Sequence, residues 1–173
     1  MNPIPWRTQL RLVWAGYAAV AMVSAGLVFI RYLQYVRNPA EAAAASGMYA
    51  GGDVILGLFI ACLFVIPTFF LVLVIRKSEP AFTLYSKVVL GFSLTAPLSL
   101  SMLAIPTIAN RWDPGGFFLY RLMVSPIVLV AIAGSRLMAR FPLQKKLTLY
   151  ALLIELATVG LIVVFVFVSF VKH

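Results

Sequence analysis

Few residues in this 173-residue chain are equipped for chemistry. There is one histidine, His173, one cysteine, Cys62, and five acids, Glu41, Asp53, Glu79, Asp113 and Glu155. A single histidine rules out bis-His haem ligation, a His-rich metal centre and a Ser–His nucleophile pair. A single cysteine rules out an intrachain disulfide, a dithiol redox couple and a Cys-based zinc site. No Gly-rich phosphate loop, HExxH or GxSxG occurs. No metal and no cofactor is expected.

Glu155 is the most informative residue. It alone interrupts the apolar run from Leu147 to Val171. At 1.5 Å per residue it falls about 12 Å beyond Leu147. A carboxylate at that depth in hydrocarbon costs several kcal/mol, so it should be protonated, paired or in contact with water. Ser93, Thr95 and Arg136 are the partners expected at comparable depth. A hydrogen bond to either hydroxyl, or an ion pair with Arg136, makes Glu155 structural; without such a partner it is a proton-carrying group. These four residues form the candidate intramembrane polar site.

A second group gathers toward one interface. Arg31, Arg111 and Arg121, with Arg37, suit exposed salt bridges or a pocket for a lipid phosphate or other anion. Asp53 and Asp113 are the only conceivable acid–base couple there, but each reads better as a helix N-cap, in Gly51-Gly52-Asp53 and Asp113-Pro114.

The elements that must position these residues are apolar. The chain is 63% hydrophobic and 11% charged, which no ordinary soluble domain matches. A membrane-crossing helix needs about 20 apolar residues. Uncharged runs of that order occupy Leu12 to Ile30, Val54 to Ile75, Val88 to Ala109 and, but for Glu155, Leu147 to Val171. A fifth, Leu122 to Ser135, has only 14 uncharged residues. It becomes a full crossing if Arg121 and Arg136 snorkel to opposite interfaces. The expected fold is an all-α integral membrane bundle, a single domain over 1–173, with five transmembrane helices at about 12–36, 53–75, 87–109, 116–139 and 146–171. The Asn38-Pro39-Ala40-Glu41 start signal adds a short interfacial helix after the first span.

The formal charge of +9 does not point to nucleic acid, because the basic residues sit in short pieces between apolar runs. Five spans put Arg7, Arg11, Arg76, Lys77, Lys87, Arg136, Arg140, Lys145 and Lys146 on one side. Arg31, Arg37, Arg111, Arg121 and Lys172 fall on the other. Positive-inside bias then makes the N-terminus cytoplasmic and the C-terminus external, in a membrane of the bacterial inner or plasma type. The first run exceeds the usual signal-peptide core and is read as a retained span.

Ala21 and Ala25 on the first span, and Gly91, Thr95 and Ser99 on the third, form small-xxx-small stripes for close helix packing. Pro67, Pro97, Pro106 and Pro126 interrupt the middle spans. Ser93, Pro97 and Ser101 are spaced for one polar, kinked face. Three functions remain open. The leading one is an accessory or scaffold subunit acting through helix packing, with a membrane-protein partner or a second copy of itself. The alternative is a small oligomeric proton-coupled transporter or channel using Glu155 and the kinked third span. The last is a lipid-modifying enzyme built on Asp53 and Asp113.

Overall fold

The computed structural model describes residues 5–109 and 112–171, with the side chains of 41–43, 109, 112–115, 166 and 169–171 left outside that description. Seven helices follow in order: α1 Trp6–Arg37, α2 Pro39–Ala44, α3 Ser46–Ile75, α4 Glu79–Leu103, α5 Pro106–Ala109, α6 Trp112–Met138 and α7 Pro142–Val171. No strand occurs among the described residues. Five of the helices, α1, α3, α4, α6 and α7, are long and apolar enough to cross a membrane. The protein is therefore an all-α, membrane-embedded helical bundle. The segment with the shortest uncharged run lies in α6, a continuous helix of 27 residues, about 40 Å long at 1.5 Å per residue.

Every span begins earlier than charge-free runs suggest, because membrane helices continue past the hydrocarbon into their polar flanks. In α3 the helix begins at Ser46 rather than at Asp53. Gly51 and Gly52 are helical, and Asp53 lies about two turns inside the helix, not at its N-cap. The third span differs at both ends. It starts at Glu79, behind Ser78 and with Pro80 in its first turn, and stops at Leu103 instead of running to residue 109. Pro106 explains the stop. It has no N–H to donate, its ring clashes with the preceding turn, and it disfavours helical geometry at Ile105. Ile105 N–H turns to Met102 O, and α5 restarts the helix from Pro106.

The chain divides into two compact units, Met1–Val74 and Ile75–His173. In the first, α1 and α3 are antiparallel neighbours. Tyr17 shares a hydrogen bond with Thr68 at 2.8 Å, and Arg31 reaches Asp53 at the other end. A Cβ on Gly16 would stand 3.5 Å from the Pro67 ring, so the two helices meet closely where α3 carries its proline. An apolar cleft of about 470 Å³ opens beside this contact, with Val13 and Val20 from α1 and Phe70 from α3 among its walls.

The second unit packs α4, α6 and α7 together. Gln144 Nε2 donates to Glu79 O at 3.1 Å, which sets the starts of α4 and α7 side by side and makes them parallel. Arg136 Nη1 donates to Lys145 O at 2.8 Å, and Tyr85 shares a 2.8 Å hydrogen bond with Ser135, so α6 runs against both. The interior holds Phe82, Leu122 and Ile132 but is otherwise mostly polar or small. Ser86, Ser93, Ala96 and Ser99 line α4, Ser125 and Ser135 line α6, and Gln144, Thr148, Ala151, Glu155 and Thr158 line α7. Leu137, Val130 and Phe165 are exposed instead. This inverts the soluble arrangement and suits lipid, where helix association relies on small residues and hydrogen bonds and the apolar surface faces acyl chains.

Spacing accounts for which residues turn inward. On α7 the buried positions 144, 148, 151, 155 and 158 alternate steps of four and three, the seven-residue repeat of supercoiled helices. On α4, Ser86, Ser93 and Ala96 follow the same repeat. The expected row Ser93–Pro97–Ser101 does not. Eight residues drift about 80° around a 3.6-residue helix, and Ser101 emerges at the surface, where its hydroxyl donates to Pro97 O at 2.9 Å.

Candidate functional site

The polar centre of the second unit is an ion pair between Arg121 Nη2 on α6 and Glu155 Oε1 on α7. Its Arg121 side chain is 8% exposed and Glu155 is fully buried. The rest of the guanidinium is distributed over neighbouring helices. Nε donates to Thr95 Oγ1 on α4 at 2.7 Å, Nη1 to Ser125 Oγ on α6 at 3.0 Å, and Nη2 also to Phe92 O on α4 at 3.2 Å. The cation lies over the Phe92 ring, 4.4 Å from its centroid. Arginine's planar fork of five N–H donors is suited to bridging several acceptors in this way.

Phe92 O also accepts from Thr95 Oγ1 at 2.6 Å, a habit of helical threonines. One turn further on, Pro97 has no N–H to offer the Ser93 carbonyl. Ser93 Oγ on α4 and Glu155 Oε2 on α7 are each buried without a protein partner.

Of the expected intramembrane set, Glu155 and Thr95 are linked here through Arg121, Ser93 is buried on α4 without a hydrogen bond to either, and Arg136 lies elsewhere. Arg136 sits near the end of α6 and donates to Lys145 O instead. Helix length supplies the reason. Glu155 is 13 residues beyond Pro142, about 20 Å along α7, so an arginine two residues from the end of α6 is out of reach. Arg121, 17 residues before the end of the antiparallel α6, is at the matching level. The placement of Arg121 among interfacial arginines took the edge of the uncharged run for the edge of the span. Counting residues from the helix ends, rather than from the nearest charge, is the signal that pairs Arg121 with Glu155.

The other arginines part company. Arg31 belongs to the first unit, where it forms a clasp between α1 and α3. Its Nε donates to Asp53 Oδ1 at 2.6 Å, Nη1 to Gln34 Oε1 at 3.1 Å and Nη2 to Tyr49 O at 2.8 Å. The rings of Tyr35 and Tyr49 lie 5.0 and 4.5 Å from the cation. Tyr35 Oη donates to Asp53 Oδ2 at 2.5 Å. Gly52 makes the close approach possible, since a Cβ there would stand 3.1 Å from Arg31 Nη2. Asp53 thus has both oxygens engaged, by Arg31 and by Tyr35. Arg111 and the Asp113 side chain lie outside the described residues.

No group of three or more metal-ligating side chains occurs among the described residues. The chain matches no protein-family model, no curated protein and no solved structure. The class of the protein is accordingly set by its own geometry, an all-α helical membrane protein with a charge pair inside one three-helix packing unit.

Proposed function

We propose that this protein is a non-enzymatic accessory or scaffold component of its membrane, acting through helix packing. The observation that carries the reading is the sharing of one guanidinium by α4, α6 and α7. A charge held by side chains and a backbone carbonyl of three helices fastens them; a charge kept for a passing solute would have to be released from all of them. The engagement of Asp53 by Arg31 and Tyr35 fits the same reading, since it leaves that carboxylate no lone role as a base. The small face of α1, where Ala21 and Ala25 are exposed, is suited to close approach by another membrane helix. The partner in this reading is a membrane protein or a second copy of the chain.

The same reading sets the basic ends on the cytoplasmic side, with the N-terminus inside and the C-terminus outside a bacterial-type inner or plasma membrane. Support comes from the positive-inside count of nine basic residues against four, Arg31, Arg37, Arg111 and Lys172, once Arg121, buried in the bundle, is left out.

Extraction in a mild detergent, followed by mass determination of the intact complex and peptide identification, tests the proposal. Stoichiometric recovery with a second membrane protein, or as a defined homo-oligomer without transport activity, is the expected result. A protein that passes protons or solutes on its own in liposomes overturns it.

A further inference from the structure

We propose that the turn from α6 into α7 holds one anionic phospholipid, with its phosphate on Arg136 and Lys145 and an acyl chain along the Val130–Leu137 face of α6. Such a site requires only a membrane-embedded bundle, not the packing reading. The arginines of the protein differ in what they face. Arg31 and Arg121 each meet a carboxylate. Arg136 is held in place as they are, by Nη1 on Lys145 O at 2.8 Å, but among the described residues it forms no ion pair. A guanidinium carries five N–H donors in a planar fork. One is used here, and the fork is suited to meeting a phosphate with two N–H bonds at once.

Charge along the turn is of one sign. Residues 136–146 include Arg136, Arg140, Lys145 and Lys146 and no acid. Glu79 starts α4 beside this turn, where its carbonyl accepts from Gln144 Nε2, but its carboxylate forms no ion pair among the described residues. Lys145 and Lys146 are exposed. Because Arg136 lies against the Lys145 backbone, the Lys145 ammonium, on its flexible four-carbon stem, can come to the same phosphate.

Apolar surface adjoins the charge. Val130 and Leu137, seven residues apart on one stripe of α6, are 71% and 88% exposed. The stripe is about 10 Å long. Gly134 lies between them with nothing within 4 Å of where a Cβ would stand, which leaves a notch between the two side chains. Leu137 follows Arg136 directly, so a molecule bonded to the guanidinium has lipid-facing surface beside it. A soluble phosphate would use the charge and leave the stripe idle, and a zwitterionic lipid would bring its own cation among the basic groups. An anionic phospholipid uses both features. Basic pockets between membrane helices bind such head groups, whereas the charge bias that orients helices requires neither a fixed guanidinium nor an apolar notch.

The lipid also bears on the turn itself. Cations gathered at the end of α6 and the start of α7 repel one another, and a phosphate set among them offsets that repulsion while leaving the Arg136 bond to Lys145 O intact.

Native mass spectrometry of the purified, delipidated full-length protein in detergent micelles, titrated with phosphatidylglycerol or with phosphatidylcholine of the same acyl chains, tests this. The expected result is a first phosphatidylglycerol bound about tenfold more tightly than phosphatidylcholine, as two basic groups near one phosphate provide. Arg136→Gln should reduce that preference about fivefold, and so should the double variant Lys145→Gln/Lys146→Gln. Gly134→Leu, which fills the notch, should weaken binding of both lipids. Arg7→Gln/Arg11→Gln removes as much charge as the lysine variant, from the start of α1, and should leave the preference unchanged. If Arg136→Gln does not fold, the lysine variant decides. Equal affinity for the two lipids, a preference unmoved at the turn or lost equally in Arg7→Gln/Arg11→Gln, or binding indifferent to Gly134→Leu overturns the proposal. Displacement of the lipid by glycerol 3-phosphate at equal concentration overturns it too, by assigning the site to a free phosphate ester. The search for a protein partner is independent of these titrations, so packing and lipid binding fail separately.

Discussion

Arg31–Asp53 in the first unit and Arg121–Glu155 in the second join the same two functional groups in different surroundings. The first pair is 22% and 30% exposed; the second is 8% and 0% exposed. In both, the arginine bonds to more than its carboxylate, reaching a backbone carbonyl and an aromatic face as well. The difference lies in the acid. Asp53 has each oxygen engaged, one by Arg31 and one by Tyr35, whereas Glu155 has one oxygen on Arg121 and one bare. The part-buried pair thus has both carboxylate oxygens hydrogen-bonded, and the buried pair has one oxygen without a partner. Burial decides how much each contributes.

Breaking the buried pair is the largest test of that contrast. Arg121→Leu leaves a carboxylate in the three-helix core without its counter-charge, and loss of one partner of a buried pair costs about 3–5 kcal/mol. Unfolding in mixed detergent micelles, followed by circular dichroism, is expected to show that loss. The double variant Arg121→Leu/Glu155→Leu should recover most of it, because the isolated charge is what destabilises. A double variant no better than the single one would mean that the hydrogen bonds to Thr95, Ser125 and Phe92, not the charge, hold the unit.

Thr95→Val separates those terms. It keeps the shape and removes the acceptor of Arg121 Nε. A hydrogen bond to a charged group contributes about 1.5–3 kcal/mol, and the same loss is expected in the same unfolding assay. Asp53→Asn in the first unit should cost less, about 1 kcal/mol, as partly exposed pairs do. Salt sharpens the comparison. Raising NaCl to about 1 M, where the screening length falls to about 3 Å, should shrink the Asp53→Asn penalty toward zero and leave the Arg121→Leu penalty nearly intact. Equal salt sensitivity would remove the distinction between the two sites.

How far the sequence revealed these sites follows from what each depends on. The five crossings depend on apolar run length, a local property, and α2 on the Asn38-Pro39 start; both are legible. The fourth crossing is the shortest uncharged run because Arg121 interrupts it, and the same residue conceals the site. A charge was taken as a boundary, although a charge of opposite sign on the next helix allows it inside. That pairing is non-local and appears only when residues are counted from the helix ends. Asp53 was misplaced for a local reason. Gly-Gly-Asp is a loop-and-cap pattern, but here the two glycines stay helical and Gly52 clears space for the Arg31 guanidinium. The inward rows on α4 and α7 required the seven-residue repeat, since the four-residue spacing of Ser93, Pro97 and Ser101 drifts out of the core.

The smallest expected effect concerns that same glycine. In an open helical position, alanine in place of glycine gains up to about 1 kcal/mol of helix propensity. Gly91 on α4 has nothing within 4 Å of where a Cβ would stand, so Gly91→Ala should show most of that gain. At Gly52 the new methyl would stand 3.1 Å from Arg31 Nη2. The obstacle is the tip of a flexible side chain, which gives way by a few tenths of an ångström and loosens its bonds to Asp53 and Tyr49. Gain and loss then nearly cancel, and Gly52→Ala should leave stability unchanged within about 0.5 kcal/mol. A gain equal to that of Gly91→Ala would show that the clasp contributes little to holding α1 against α3. A loss beyond 1 kcal/mol or so would show that the exposed pair approaches the buried one in strength, and that the bare oxygen of Glu155, rather than its depth, is what sets the two sites apart.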